Sequence, residues 1–284
     1  MIAIRNDMLQ VVVSEKGAEM QSIRFRGQEY LWQGHPDAWS EHAPVLFPIC
    51  SRLIDNRYIL NGKEYEMPVV HGFGRYLDFE VEYHDGESLV MLATDNEETR
   101  KQFPFAFDLR ISYQLKGNTI KIGYDVLNKS EETMYFSIGA HEGYALPGGL
   151  TDYKLVFPQK ETFETHRMAG GGLIDRWDKI QPDGNILELK PELMDYGTLI
   201  FDKSLSKSCV LARKDGSRAI RVNYQDFKYF LVWTVPGYDF VCLEPWCGLP
   251  DEVGTDHDIT HKTGIIRAWP NETVSRFHSI EILT

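Results

Sequence analysis

A chain of 284 residues, 43% hydrophobic and 25% charged, has the composition of a globular protein with room for a sizeable core and a deep cleft, not of a disordered one. Its formal net charge of −12 sets the surface against phosphate backbones and anionic lipid, so neither nucleic acid nor a membrane is an expected partner. The four cysteines, Cys50, Cys209, Cys242 and Cys247, contain no Cys-x-x-Cys pair, which argues against a zinc site and against a disulfide framework.

The first residues, Met1-Ile2-Ala3-Ile4-Arg5, show no basic segment followed by an apolar stretch, and no run is apolar enough to span a bilayer. The expectation is a cytoplasmic protein. Strand patterns then dominate. Gln10–Val13 and Ser88–Ala93 are short, β-branched runs bounded by turn residues. Asn61-Gly62 inside Tyr58–Tyr65 supplies the positive φ angles of a two-residue hairpin turn. Leu77–Tyr83 alternates apolar and acidic residues, which predicts a half-buried strand with one wet face. Asp95–Phe103 is the best helical candidate, capped by Asp95 or Asn96 and ended by Pro104.

Leu109–Leu115 and Thr119–Leu127 read as a long hairpin. Leu199–Asp202, Cys209–Arg213, Ala219–Tyr224, Phe230–Val235, Phe240–Leu243 and Thr273–Leu283 continue the series. Ala169-Gly170-Gly171-Gly172-Leu173 lacks the Gly-Lys-Ser/Thr ending of a phosphate loop and is expected to be a flexible connection. Many short strands with turn chemistry between them predict an all-β, antiparallel sandwich or barrel with few short helices. No linker or internal repeat divides the chain, so residues 1–284 are read as a single domain.

Four stretches depart from ordinary strand and turn composition: Phe47–Arg52, His71-Gly72-Phe73-Gly74-Arg75, Ile138–Tyr144, and Leu243–Asp251. Glu244 is placed at the end of an apolar strand, where the scaffold would hold a carboxylate base rigidly. His141 and His71 are flanked by glycine and alanine, which leaves room for a ligand, and histidine is the natural proton donor near neutral pH. A lone histidine or glutamate is more often structural; two histidines and Glu244 in such settings favour chemistry. Asp256-His257-Asp258 with His261 has ligand residue types without a metal spacing and reads as a polar loop. There is no Gly-x-Ser-x-Gly elbow and no dinucleotide glycine fingerprint. Paired carboxylates of the glycosidase kind depend on a separation in space that spacing along the chain does not give.

In these stretches the chain resembles the aldose 1-epimerase (galactose mutarotase-like) family, in its LacX-like branch, nearly from end to end. His71-Gly72-Phe73-Gly74-Arg75 and Glu244-Pro245-Trp246, with Gly248 and Asp251, carry the resemblance. Around His141 the chain departs from the family's His-Pro-x-Phe pattern at Glu142 and Tyr144. The resemblance implies a large twisted β-sandwich, the galactose mutarotase-like supersandwich, with a cleft on one sheet. It implies Glu244 as catalytic base and His141 as catalytic acid. His71 and Arg52 would bind substrate, and Asp202 or Asp195 would fill the family's third acidic role. Arg75 and Trp246 are further substrate-binding candidates. No metal and no cofactor are implied. The implied partner is a free hexose or its 6-phosphate, with Arg52 and Arg75 as possible phosphate ligands. The expected reaction is interconversion of α and β anomers, with Glu244 ionised and His141 charged. The alternative is a non-catalytic carbohydrate-binding protein on the same scaffold.

Overall fold

Period-two burial is cleanest in the paired strands Phe107–Lys116 and Thr119–Asn128, where Ile111, Tyr113 and Leu115 face Ile120, Ile122 and Tyr124 across the core side. The computed structural model describes residues 1–283. In it these strands lie within a nine-stranded antiparallel sheet. The order across that sheet is Gly184–Glu188, Tyr153–Glu161, Ser208–Arg213, Ala219–Asn223, Thr273–Leu283, Thr119–Asn128, Phe107–Lys116, Ser88–Thr94, Glu80–His84. The last strand of the chain thus inserts near the middle, which ties both halves of the sequence into one sheet.

A second, four-stranded sheet has the order Glu142–Ala145, Phe240–Trp246, Tyr229–Trp233, Leu199–Phe201. Isolated bridges Leu46–Gly139 and Gly139–Trp246 extend it sideways. The two sheets face each other. Their inward residues, among them Val241, Leu243, Phe230 and Val232 on the smaller sheet and Ile122, Tyr124 and Ile280 on the larger, belong to one continuous apolar cluster. A third sheet, Ile2–Arg5, Leu9–Val13, Met20–Phe25 and Gln28–Glu29, covers one end. No helix among the described residues is long and apolar enough to cross a membrane.

Several local expectations are met. Asn61 and Gly62 have φ of 52° and 75° and close the hairpin Arg57–Leu60/Lys63–Glu66. The helix is Glu97–Gln102, and Asn96 caps it by accepting from the amides of Glu98 and Thr99. Three expectations are corrected. Leu77–Tyr83 is not one half-buried strand: Leu77 and Phe79 are buried before the strand begins, and Glu80–His84 is an exposed sheet edge. A register shift between Val81 and Tyr83 breaks the alternation there. The glycine run is a tight turn, because Gly170 and Gly171 at φ 59° and 85° join Glu164–Ala169 to Gly172–Lys179 directly. The strand carrying Glu244 does not stop at Leu243 but continues through Pro245 to Trp246.

Gly72 has φ +68°, and a Cβ there would stand 2.3 Å from the Phe47 carbonyl oxygen. Gly62 has a similar φ of +75° with nothing within 4 Å. Gly72→Ala is therefore expected to cost about 3 kcal/mol, against about 1 kcal/mol for Gly62→Ala. Urea unfolding midpoints at equal m-value check the difference.

Candidate active site

The strand Phe240–Trp246 is buried along its whole length, so both of its faces are covered. Val241 and Leu243 point into the main core, whereas Cys242, Glu244 and Trp246 share the opposite face. Pairing extends that face across the sheet. Cys242 is opposite Trp233, Glu244 opposite Leu231, and Trp246 opposite Tyr229. Ile200 continues the Leu231 row, and Asp202 follows two residues later on the same face. Leu46, Leu173, Ile200, Tyr229, Leu231, Trp246 and Leu249 form a separate apolar cluster lining it.

His141 joins this face from just before the neighbouring strand Glu142–Ala145. Its Nε2 lies 3.3 Å from Glu244 Oε2. Glu142, one residue on, pairs with Leu243 and so points the other way, where its Oε1 is 3.0 Å from His278 Nε2 of the large sheet. Adjacent residues therefore serve opposite sides of one sheet. His71 approaches from the loop after Val70. Its ring is 5.3 Å from His141 and 5.3 Å from Trp246, edge-on to both. The Ser51 amide donates to His71 Nδ1 at 2.9 Å, which leaves the proton of the neutral ring on Nε2. Gly139 leaves the space that this convergence needs, since a Cβ there would meet the Trp246 ring at 2.8 Å.

The local electrostatics differ from the sequence expectation of a charged pair. Burial pushes the His141 imidazole down to about 3. Burial, then the nearby Glu142 carboxylate, pushes Glu244 well above the usual carboxylate range. His71 is held well below the ordinary histidine value by burial, then by the charges of His141 and Arg75. Burial therefore favours a neutral imidazole beside a neutral carboxyl. Neither Glu244 oxygen has a hydrogen-bond partner among the described residues.

The other sequence candidates take different places. Arg75 Nη1 donates to Glu41 Oε2 at 2.8 Å and Nη2 to the Val70 carbonyl at 2.9 Å. Glu41 also accepts from the Trp39 indole at 3.2 Å. Arg52 is exposed and makes no side-chain hydrogen bond or ion pair among the described residues. Asp195 is exposed in the turn Pro191–Tyr196. Asp202 lies 3.2 Å from His166 Nδ1 and accepts from the Trp177 indole at 3.2 Å. It lines a cavity of about 640 Å³ with His166, Trp177, Tyr229, Glu252 and Thr263. Trp246 is buried, its indole donating to the Ala140 carbonyl at 3.2 Å, so it braces the histidines more than it offers an open face. His261 pairs with Asp256 at 2.8 Å in an exposed loop away from this face.

Trp39 and Trp233 were not legible as site residues. Their rings lie 5.0 Å and 5.9 Å from His141 and are only partly buried. Trp39 sits in a loop with no motif. Trp233 could be placed beside Cys242 only once the strand register is known. His166 and Trp177, stacked at 4.3 Å on the hairpin around Gly170-Gly171, were hidden for the same reason.

The histidine–glutamate contact thus stands on the smaller sheet of a β-sandwich, with tryptophans and a second histidine around it. The chain belongs to the aldose 1-epimerase family, whose model matches residues 1–264. It is 29% identical to the plasmid-encoded protein LacX of Lactococcus lactis subsp. lactis over 99% of both chains. Among solved structures it is similar to a galactose mutarotase related enzyme from Lactobacillus acidophilus, with TM-score 0.92 and 33% identity, covering 100% of this chain and 97% of that one. A galactose mutarotase-like protein from Lactobacillus casei ATCC 334 gives TM-score 0.93 at 28% identity, with both chains covered completely.

The buried groups leave a signature in stability. His71, depressed from 6.5, contributes stability present above the unfolded value and lost as pH falls below it. Glu244, raised from 4.5, acts oppositely: its contribution is present below 4.5 and lost as pH rises toward its folded value. Between pH 5 and 6.5, His71→Gln should flatten the fall of stability toward acid. Glu244→Gln should steepen it. Each change is up to about 1.4 kcal/mol per pH unit, read from urea unfolding across pH.

Proposed function

We propose that this protein is a cofactor-independent aldose 1-epimerase that interconverts the α and β anomers of a free hexose. The observation that carries the reading is the 3.3 Å contact between His141 Nε2 and Glu244 Oε2, on a buried sheet face with no other partner for the carboxylate. Anomer exchange needs one proton removed from O1 and one delivered to the ring oxygen. An acid and a base sharing a single mobile proton meet that need.

Before sugar binds, the proton rests on Glu244, because burial disfavours charge on either group. Sugar hydroxyls entering the cleft solvate the carboxylate, and the proton passes to His141. Glu244 then takes the O1 proton as the O1 electron pair closes the C1 carbonyl. The C1–O5 bond breaks and O5 takes the proton from His141. Rotation about C1–C2 and the same steps reversed give the other anomer. His71 Nε2–H serves as a hydrogen-bond donor to the sugar. Trp39 and Trp233 supply apolar walls for ring faces.

Asp202, two strands from Glu244 and two residues along, has its Cα roughly 12 Å away, which suits the far end of a hexose. The cavity beside it carries the carboxylates of Asp175, Asp202 and Glu252, with Lys228 as the basic group. Arg75 is committed to Glu41 and Arg52 stands exposed without a partner. That charge balance favours a free aldose over a 6-phosphate.

Polarimetry or NMR of anomer interconversion, over a sugar panel that includes 6-phosphates, tests the reading. Wild type should accelerate at least one free aldose, and Glu244→Gln or His141→Asn should each lose roughly 10²–10⁴-fold. Equal rates in all three proteins, with sugar still bound, would leave a carbohydrate-binding protein instead. The pH profile is a second check. The pair keeps one mobile proton from about pH 3, where His141 takes up a second, to the raised value of Glu244. The buffer-corrected kcat/KM should therefore show no acid limb near 6.5, the value of an ordinary histidine.

A further inference from the structure

Cys242 lies on the cleft face between His141 and Glu244 and has no part in the epimerisation. Its sulfur, a His141 ring nitrogen and a Glu244 oxygen all lie within 4.8 Å of one another. All three side chains are buried, and Cys242 and Glu244 are almost wholly so. Cys50, in the apolar cluster of the same face, and Cys209 and Cys247 are also buried and free, but none of them is grouped with His141 and Glu244. We propose that Cys242, His141 and Glu244 form a three-ligand site for zinc, or a divalent ion of similar softness, and that the ion excludes sugar by taking the acid and the base together.

The geometry suits tetrahedral coordination. Bonds of about 2.0 Å to nitrogen and oxygen and 2.3 Å to sulfur give ligand–ligand separations of about 3.3–3.5 Å. The His141–Glu244 distance is already 3.3 Å. Sulfur has to close by at most about 1.3 Å, from the 4.8 Å limit to about 3.5 Å. The chemistry also suits the ion. Imidazole, thiolate and carboxylate are all zinc donors, and two anionic ligands cancel the double charge, so the buried complex is neutral. The unpartnered Glu244 oxygens would gain the contact that they lack. The fourth position faces the cleft, where water completes the shell.

On binding, the S–H bond of Cys242 breaks, its electron pair forms the Zn–S bond, and the proton goes to solvent. The Glu244 carboxyl likewise gives its proton to solvent. Affinity therefore climbs with pH. A thiol buried beside Glu244 is otherwise well above its ordinary range, which keeps it inert in the metal-free protein.

The binding arm of the test does not depend on the proposed reaction. Cobalt titrated into the wild type should give a sulfur-to-cobalt absorption band that saturates at one equivalent and is displaced by zinc. The band should be absent from Cys242→Ser and Cys242→Ala. Zinc-edge X-ray absorption of the wild type, which needs no variant, should show one sulfur at about 2.3 Å. No sulfur band in the wild type, or a band that survives in both variants, overturns the site. The inhibition arm rests on the epimerase reading. Zinc should slow wild-type interconversion competitively with sugar, while Cys242→Ser needs at least tenfold more zinc and matches the wild type without it. A wild type inactive on every sugar would defeat the reaction and leave the cobalt result to decide the site.

Discussion

The structure turns on a carboxyl buried in an apolar sheet face, with an imidazole 3.3 Å from it. Such a group is costly, and it persists because the strand carrying it is covered on both sides and cannot shift register. A slip of one residue would send Glu244 into the main core and bring Val241 and Leu243 to the cleft. The packing of those two residues between the sheets therefore fixes where the chemistry can stand.

At the start of the next strand, Glu142–Ala145, adjacent residues face opposite sides of the sheet. His141 faces the cleft and Glu142 faces the large sheet, where His278 meets it next to Tyr124, whose ring stacks on His278 at 5.7 Å. That contact bridges the two layers. It also places a second carboxylate behind Glu244, which adds to the burial that keeps Glu244 protonated. The pair on the cleft is thus tuned from the opposite face of the sheet.

Loops complete the site under tight backbone control. His71 and Gly72 both have φ near +67°, and Gly72 passes against the Phe47 carbonyl. Backbone bonds between His71 and Ser51 and between Phe47 and His71 hold the loop to its neighbour. Arg75 reaches Glu41, and Glu41 accepts from the Trp39 indole, so one carboxylate links the guanidinium to the aromatic ring beside His141. The buried Asp251–Lys262 pair, with Asp251 also accepting from the Ile54 amide, anchors the loop that follows Trp246.

The amino-acid sequence alone determined the all-β class, the long hairpin, the Asn61-Gly62 turn and the capped helix, because alternation, turn chemistry and capping act over a few residues. It also singled out His71, His141 and Glu244, since glycines and small residues beside titratable groups are visible along the chain. It did not determine that Glu244 lies within a strand, that Asp202 and not Asp195 reaches the cleft face, or that Trp39, Trp233, His166 and Trp177 gather there. Those placements follow from pairing between strands far apart in the chain. The protonation state was decided there too. Seen in sequence, an imidazole and a carboxylate attract and charge each other; in the folded sheet, loss of water outweighs that attraction and both rest neutral.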